Sequence, residues 1–148
     1  MCDLRTVSDK QNIEGYKVVA RKSKGKRYYS VAMGFKYPLD GHIPAVRRQQ
    51  RISSGYKDEI LEKYSAAYRK DMIGRTAIFL SLADVREEYK YLSWRNLERG
   101  YKMIAIRVVV SQDIMEGVYG GRRVVAGRHI HFMEEVDINK LIPQEIQM

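Results

Sequence analysis

The sequence predicts an α+β fold: one small domain, mainly an antiparallel sheet of about five or six strands, with two amphipathic helices. Three observations predict it. Short runs rich in Val, Ile, Tyr and Phe recur along the chain, bounded by Gly-bearing turns. Two stretches instead repeat apolar residues at helical spacing. The length, 148 residues, suits a single domain.

Taken in order, residues 1–14 are polar and mixed in charge, which predicts a flexible N-terminal arm ahead of a domain at 15–138. Gly15 precedes a first strand at 16–21. Lys22, Ser23, Lys24, Gly25 and Lys26 form a turn, with Gly25 free to take a positive φ, and 27–33 returns as a second strand. Residues 34–53, broken by Pro38, Gly41 and Pro44, read as an irregular connector long enough to suggest function, with Leu39 and Ile43 as anchors. From Asp58, a stripe of Ile60, Leu61, Tyr64, Ala67 and Tyr68 predicts the first helix. Ser54 is its candidate cap, and Asp58 and Glu59 complement the dipole at its start.

Gly74 closes that helix, and 75–80 is a short apolar strand. Ser81 and Asp84 stand in a capping pattern that opens a second helix, buried along Leu82, Val85, Tyr89 and Leu92 and ended by Gly100. The β-branched run at 103–110 is the best core strand. A Gly-bearing loop at 116–121 and two strands at 122–126 and 128–133 follow, and a polar tail occupies 139–148.

Charge is the most informative feature. The chain carries 27 Lys+Arg against 18 Asp+Glu, a net charge of +9. Between Gly15 and Gly55 lie ten basic residues and one acid, Asp40, so the whole excess sits in that window and the remaining chain is neutral. A balanced body with one cationic segment calls for an anionic partner. Lys22, Lys24, Lys26 and Arg27 at the hairpin tip, with Arg47, Arg48 and Arg51 from the connector, are the candidate phosphate ligands. Arg47 and Arg51 would share one side of a helical turn, and arginine supplies the planar fork that suits phosphate. Tyr28, Tyr29 and Tyr37 are the candidate stacking faces for bases.

Other chemistries are disfavoured. His129 and His131 share a strand face but have no evident third ligand, so no metal is expected. Glu134 and Glu135 point to opposite faces, which does not suit an acid–base pair. Cys2 lacks an activating neighbour. Gly117, Gly120 and Gly121 lead into a strand, so they read as a hairpin turn rather than a phosphate cradle, although Arg122 and Arg123 stand beside it. No nucleotide-binding fingerprint is present, and no cofactor is expected. No apolar run approaches the roughly 20 residues of a membrane span. The start shows no signal peptide and there is a single cysteine, so a reducing, cytoplasmic setting is expected.

The order of Ile78, Phe79, Leu80 and Ser81, then a helix, then the strand at 103–110 resembles the split sheet of ADP-ribosyltransferases. The resemblance implies an enzyme acting on a nucleotide, with Arg21, Ser81 and Glu134 or Glu135 in its site. The chain departs from that family in lacking a Ser-Thr-Ser and a Glu-x-Glu. The leading expectation is therefore a non-catalytic binding protein for nucleic acid or a nucleotide. An inhibitor or adaptor that meets an acidic protein surface is the alternative.

Overall fold

A computed structural model describes residues 3–60 and 70–138. In chain order the strands are β1 (Asp3–Val7), β2 (Asn12–Lys22), β3 (Tyr28–Ser30), β4 (Arg48–Gln49), β5 (Glu59–Ile60) and β6 (Thr76–Phe79). After helix α1 (Leu82–Leu92) come β7 (Tyr101–Ser111), β8 (Met115–Tyr119), β9 (Arg122–Gly127) and β10 (His129–Val136). The main sheet has eight strands in the order β1-β8-β9-β6-β2-β7-β10, with β3 added to β2, and β4 and β5 form a separate pair.

Among the described residues every strand pairing is antiparallel, and the longest joins β2 to β7 from Asn12–Ser111 to Lys22–Tyr101. By contrast, β2 meets β6 only at Tyr16–Phe79. The sheet is thereby hinged into two halves, β3-β2-β7-β10 and β6-β9-β8-β1. Gly15 makes that junction possible, because a Cβ there would collide with the Phe79 carbonyl and the Ile78 side chain.

Alternation along the strands feeds two cores. Val18 and Ala20 of β2 pack with Val85 and Leu92 of α1. Val19, between them, joins Ile104, Ile106 and Val108 of β7 with Ile78 and Val125 of the other half. Phe35, Tyr37 and Ile43 of the connector belong to this second cluster. Ser81 caps α1, its Oγ accepting the Asp84 N–H at 3.1 Å.

These facts correct the predicted fold class. The main sheet has more strands than the five or six expected, and among the described residues there is one α-helix rather than two. The N-terminal segment, expected as an arm, supplies β1, whose Leu4 is buried. Gly117, expected in a loop, lies in β8, where the missing side chain lets the backbone of Asp3 and Leu4 lie close. The expected first helix begins differently: Glu59 and Ile60 are extended and pair with Gln49 and Arg48. The remainder of that stripe, at 61–69, and the tail at 139–148 fall outside the described residues, as does Cys2. The second helix ends at Leu92, well before Gly100. No helix among the described residues is long and apolar enough to cross a membrane.

Candidate functional site

The hairpin that carries most of the candidate cations is held firmly. Gly25 N–H donates to the Lys22 carbonyl at 2.9 Å, closing the turn between β2 and β3. Beneath it, the Arg21 guanidinium donates to Glu135 at 2.7 Å and reaches the Gly25 carbonyl at 3.3 Å. Ser23 N–H donates to the Gly100 carbonyl, which fastens the turn to the loop between α1 and β7. Lys22 and Lys24 project from this platform and are exposed. Lys22 Nζ lies 5.7 Å from the Tyr101 ring centroid, so its stem follows an aromatic surface while its charge stays in water.

Lys26 and Arg27 turn to another side. They line a groove of about 280 Å³ together with Tyr28, Asp40, His129 and Phe132. Arg27 Nη2 donates to the Tyr37 carbonyl at 2.8 Å, whereas Arg27 Nε is buried without a hydrogen-bond partner. The Asp40 carboxylate accepts the His42 N–H at 3.0 Å, and its carbonyl lies 2.8 Å from His129 Nε2. The groove thus presents two permanent cations and two imidazoles, His129 and His131, against one carboxylate that is already engaged.

The three connector arginines do not form one cluster. Arg47 donates to the Arg75 carbonyl and stacks over Phe35, its guanidinium 5.2 Å from the ring centroid. Arg48 bridges Asp58 at 2.7 Å, and that hydrogen bond raises the arginine's pKa and lowers the aspartate's. Arg51 lies 3.6 Å from Glu98 and is 73% exposed. Arg51 is tied to the loop that also holds the hairpin: its partner Glu98 stands two residues before Gly100, whose carbonyl accepts the Ser23 N–H.

The expected stacking faces are corrected. Tyr29 and Tyr37 are only 5% and 3% exposed and belong to the cores. Tyr28 packs on Phe132 with ring centroids 4.5 Å apart, so it walls the groove and does not stand free. Alternation along the short β3 and burial of the connector drew these rings inward. Among the described residues, the exposed aromatics are instead Tyr91 and Trp94 at the end of α1, 59% and 63% exposed. Sequence held a signal for them, since Tyr91 lies off the buried stripe of Leu82, Val85, Tyr89 and Leu92.

Of the residues implied by the ADP-ribosyltransferase resemblance, the structure joins Arg21 to Glu135 as an ion pair and engages Ser81 and Glu134 with other partners. Ser81 caps α1, and Glu134 makes a two-pronged pair with Arg107 that lowers its pKa. Arg107 also pairs with Glu14. Arg122 and Arg123 flank the turn at Gly120 and Gly121, both at positive φ, and pair with Asp84 and Glu116. Glu88 is a buried carboxylate on α1; burial raises its pKa, against the opposing pull of Lys17, Arg122 and Arg95. Among the described residues, no group of three or more His, Cys, Asp or Glu is placed to hold a metal ion.

No family model, curated protein or solved structure matches the chain.

Proposed function

We propose that the protein is a binding domain for a phosphate-rich ligand, nucleic acid or a nucleotide, and that it acts by binding rather than by catalysis. The observation that carries this reading is Arg27. Its Nε–H is buried without an acceptor in a side chain that lines a basic groove. That nitrogen is closed to solvent, so a ligand in the groove would be met by the terminal nitrogens of the guanidinium, and phosphate oxygens are suited to such a fork. The groove volume, about 280 Å³, falls just below the roughly 300–1,000 Å³ range of small-ligand sites, which suits one phosphate-bearing unit rather than a large ligand. Lys26 stands beside it in the groove, and Lys22 and Lys24 on the neighbouring turn add positive charge that would draw a longer polyanion toward this end of the protein.

Titration of a fluorescent oligonucleotide, and separately of a mononucleotide, tests the proposal. Affinity for the oligonucleotide should fall steeply between about 50 and 200 mM salt as condensed counterions are released. Substituting Lys26→Ala together with Arg27→Lys should weaken binding about tenfold or more while the protein still melts cooperatively. Binding of neither ligand, or binding indifferent to both salt and substitution, overturns the reading. Stoichiometric capture of an acidic protein without any nucleotide would favour the adaptor instead.

A further inference from the structure

We infer that Trp94 and Tyr91 form a stacking platform for the bases of single-stranded nucleic acid. The inference rests on the phosphate-binding reading and commits it to a polymer whose bases are unpaired.

The platform is built from the end of α1. Tyr91 lies on the last turn of the helix and Trp94 just past it, and their rings meet edge to face at 6.5 Å. Both are largely exposed, which is uncommon for rings of this size. Beneath them, Arg95 holds the arrangement. Its guanidinium lies 4.6 Å from the Trp94 ring centroid and 5.6 Å from that of Tyr56, and Nη1 contacts the Tyr56 hydroxyl at 2.9 Å. Tyr56 is itself buried, and its hydroxyl donates toward the Val31 and Ala32 carbonyls. Trp94 is therefore seated on a cation anchored to the core, while much of its indole faces water. A flat, pre-positioned ring with an adjacent guanidinium suits base stacking, which tolerates any sequence because every base has a π-face.

Charge complementarity selects the occupant. The loop that follows Trp94 is bonded on both sides to the cationic segments. Ser54 N–H donates to the Asn96 carbonyl, Glu98 N–H to that of Ile52, and Ser23 N–H to that of Gly100. Arg51, Arg99, Lys22 and Lys24 are exposed on this loop and the segments bonded to it; the carboxylates nearby, Glu98 and Glu87, are paired with Arg51 and Lys90. Stacked bases on Trp94 and phosphates on these cations are the two contacts a single strand offers together. A duplex keeps its base faces covered and would use only the second.

Trp94 is the sole tryptophan, so its emission reports the platform directly. The full chain is titrated with a fluorescein-labelled oligo(dT) of about 15 nucleotides, following anisotropy and tryptophan emission, and with a duplex of equal length. Binding accompanied by quenching of Trp94, with the single strand preferred, supports the inference. Trp94→Ala should weaken single-strand binding about tenfold or more and leave duplex binding unchanged, and Trp94→Phe should restore part of the loss. Single-strand binding with Trp94 emission unmoved and Trp94→Ala silent overturns the platform but leaves the groove reading standing. Equal affinity for the duplex overturns the single-strand commitment. Binding of a mononucleotide without the oligonucleotide also overturns the platform, and binding of none of the three removes both readings.

Discussion

The backbone N–H of Ser23 donates to the Gly100 carbonyl at 2.8 Å, and the Ser23 hydroxyl reaches the same oxygen at 3.2 Å. These two hydrogen bonds to one acceptor join the cationic turn between β2 and β3 to the loop after α1. The same loop holds residues 52–54 of the connector through Asn96 and Glu98. Two segments distant in sequence are thus set around one short loop. The consequence is electrostatic: cations that would repel one another in a free hairpin are held in place by bonds to neutral carbonyls.

Removing Lys22 and Lys24 together should reduce the salt dependence of oligonucleotide binding without altering the fold. Each phosphate that is no longer neutralised lowers the slope of log K against log salt by about 0.7 for a single strand. Anisotropy titrations at four salt concentrations measure that slope. An unchanged slope would show that these lysines touch no phosphate.

The arginines should differ sharply in their effect on stability. Arg75 is buried and donates to the Asp113 and Asp71 carbonyls, each at 2.8 Å. Arg75→Ala leaves both acceptors without this partner and should cost on the order of 2 kcal/mol or more. Arg48→Ala and Arg51→Ala break exposed pairs, and the thermal midpoint should move by no more than about 2 °C. Calorimetry of the three variants checks the ranking.

Gly15→Ala should strike the hinge between the two half-sheets. The new methyl group meets the Phe79 backbone, which cannot rotate away as a side chain can. The cost should be about 1–3 kcal/mol, read from urea unfolding. Gly55→Ala, where a Cβ meets open space, serves as the control.

Glu88 predicts a pH dependence of stability. Burial raises its folded pKa above the ordinary value of 4.5, so the native state binds its proton more tightly than the unfolded chain does. Its favourable contribution is complete below the unfolded pKa and is lost as pH rises through the folded one. Glu88→Gln should therefore gain stability relative to the parent between about pH 4 and pH 7. Urea midpoints of both proteins at the two pH values test the sign. A parent that gains more than the variant over this range would contradict the burial argument.

Much of the strand pattern is legible along the chain because alternation is a local property. The runs around Val18–Ala20, Ile104–Val110 and Val124–Ala126 each carry enough β-branched residues to specify extended backbone. The Ser81 cap of α1 is equally local, a side chain bonding three residues ahead. The strands without such a signal depend on remote partners. Asp3–Val7 is polar at most positions and is ordered by pairing with β8, while Glu59–Ile60 is extended by pairing with β4.

The candidate site divides in the same way. Composition and spacing alone determined that the net charge sits between Gly15 and Gly55, and that Lys22, Lys24, Lys26 and Arg27 share a turn. Tertiary packing decided which of these charges act together. It sent Lys26 and Arg27 to a groove beside β10, turned Arg47 onto Phe35, buried Tyr29 and Tyr37, and left Tyr91 and Trp94 facing solvent. The physical reason is that charge follows from residue identity, whereas exposure and pairing depend on which distant elements reach the same side chain.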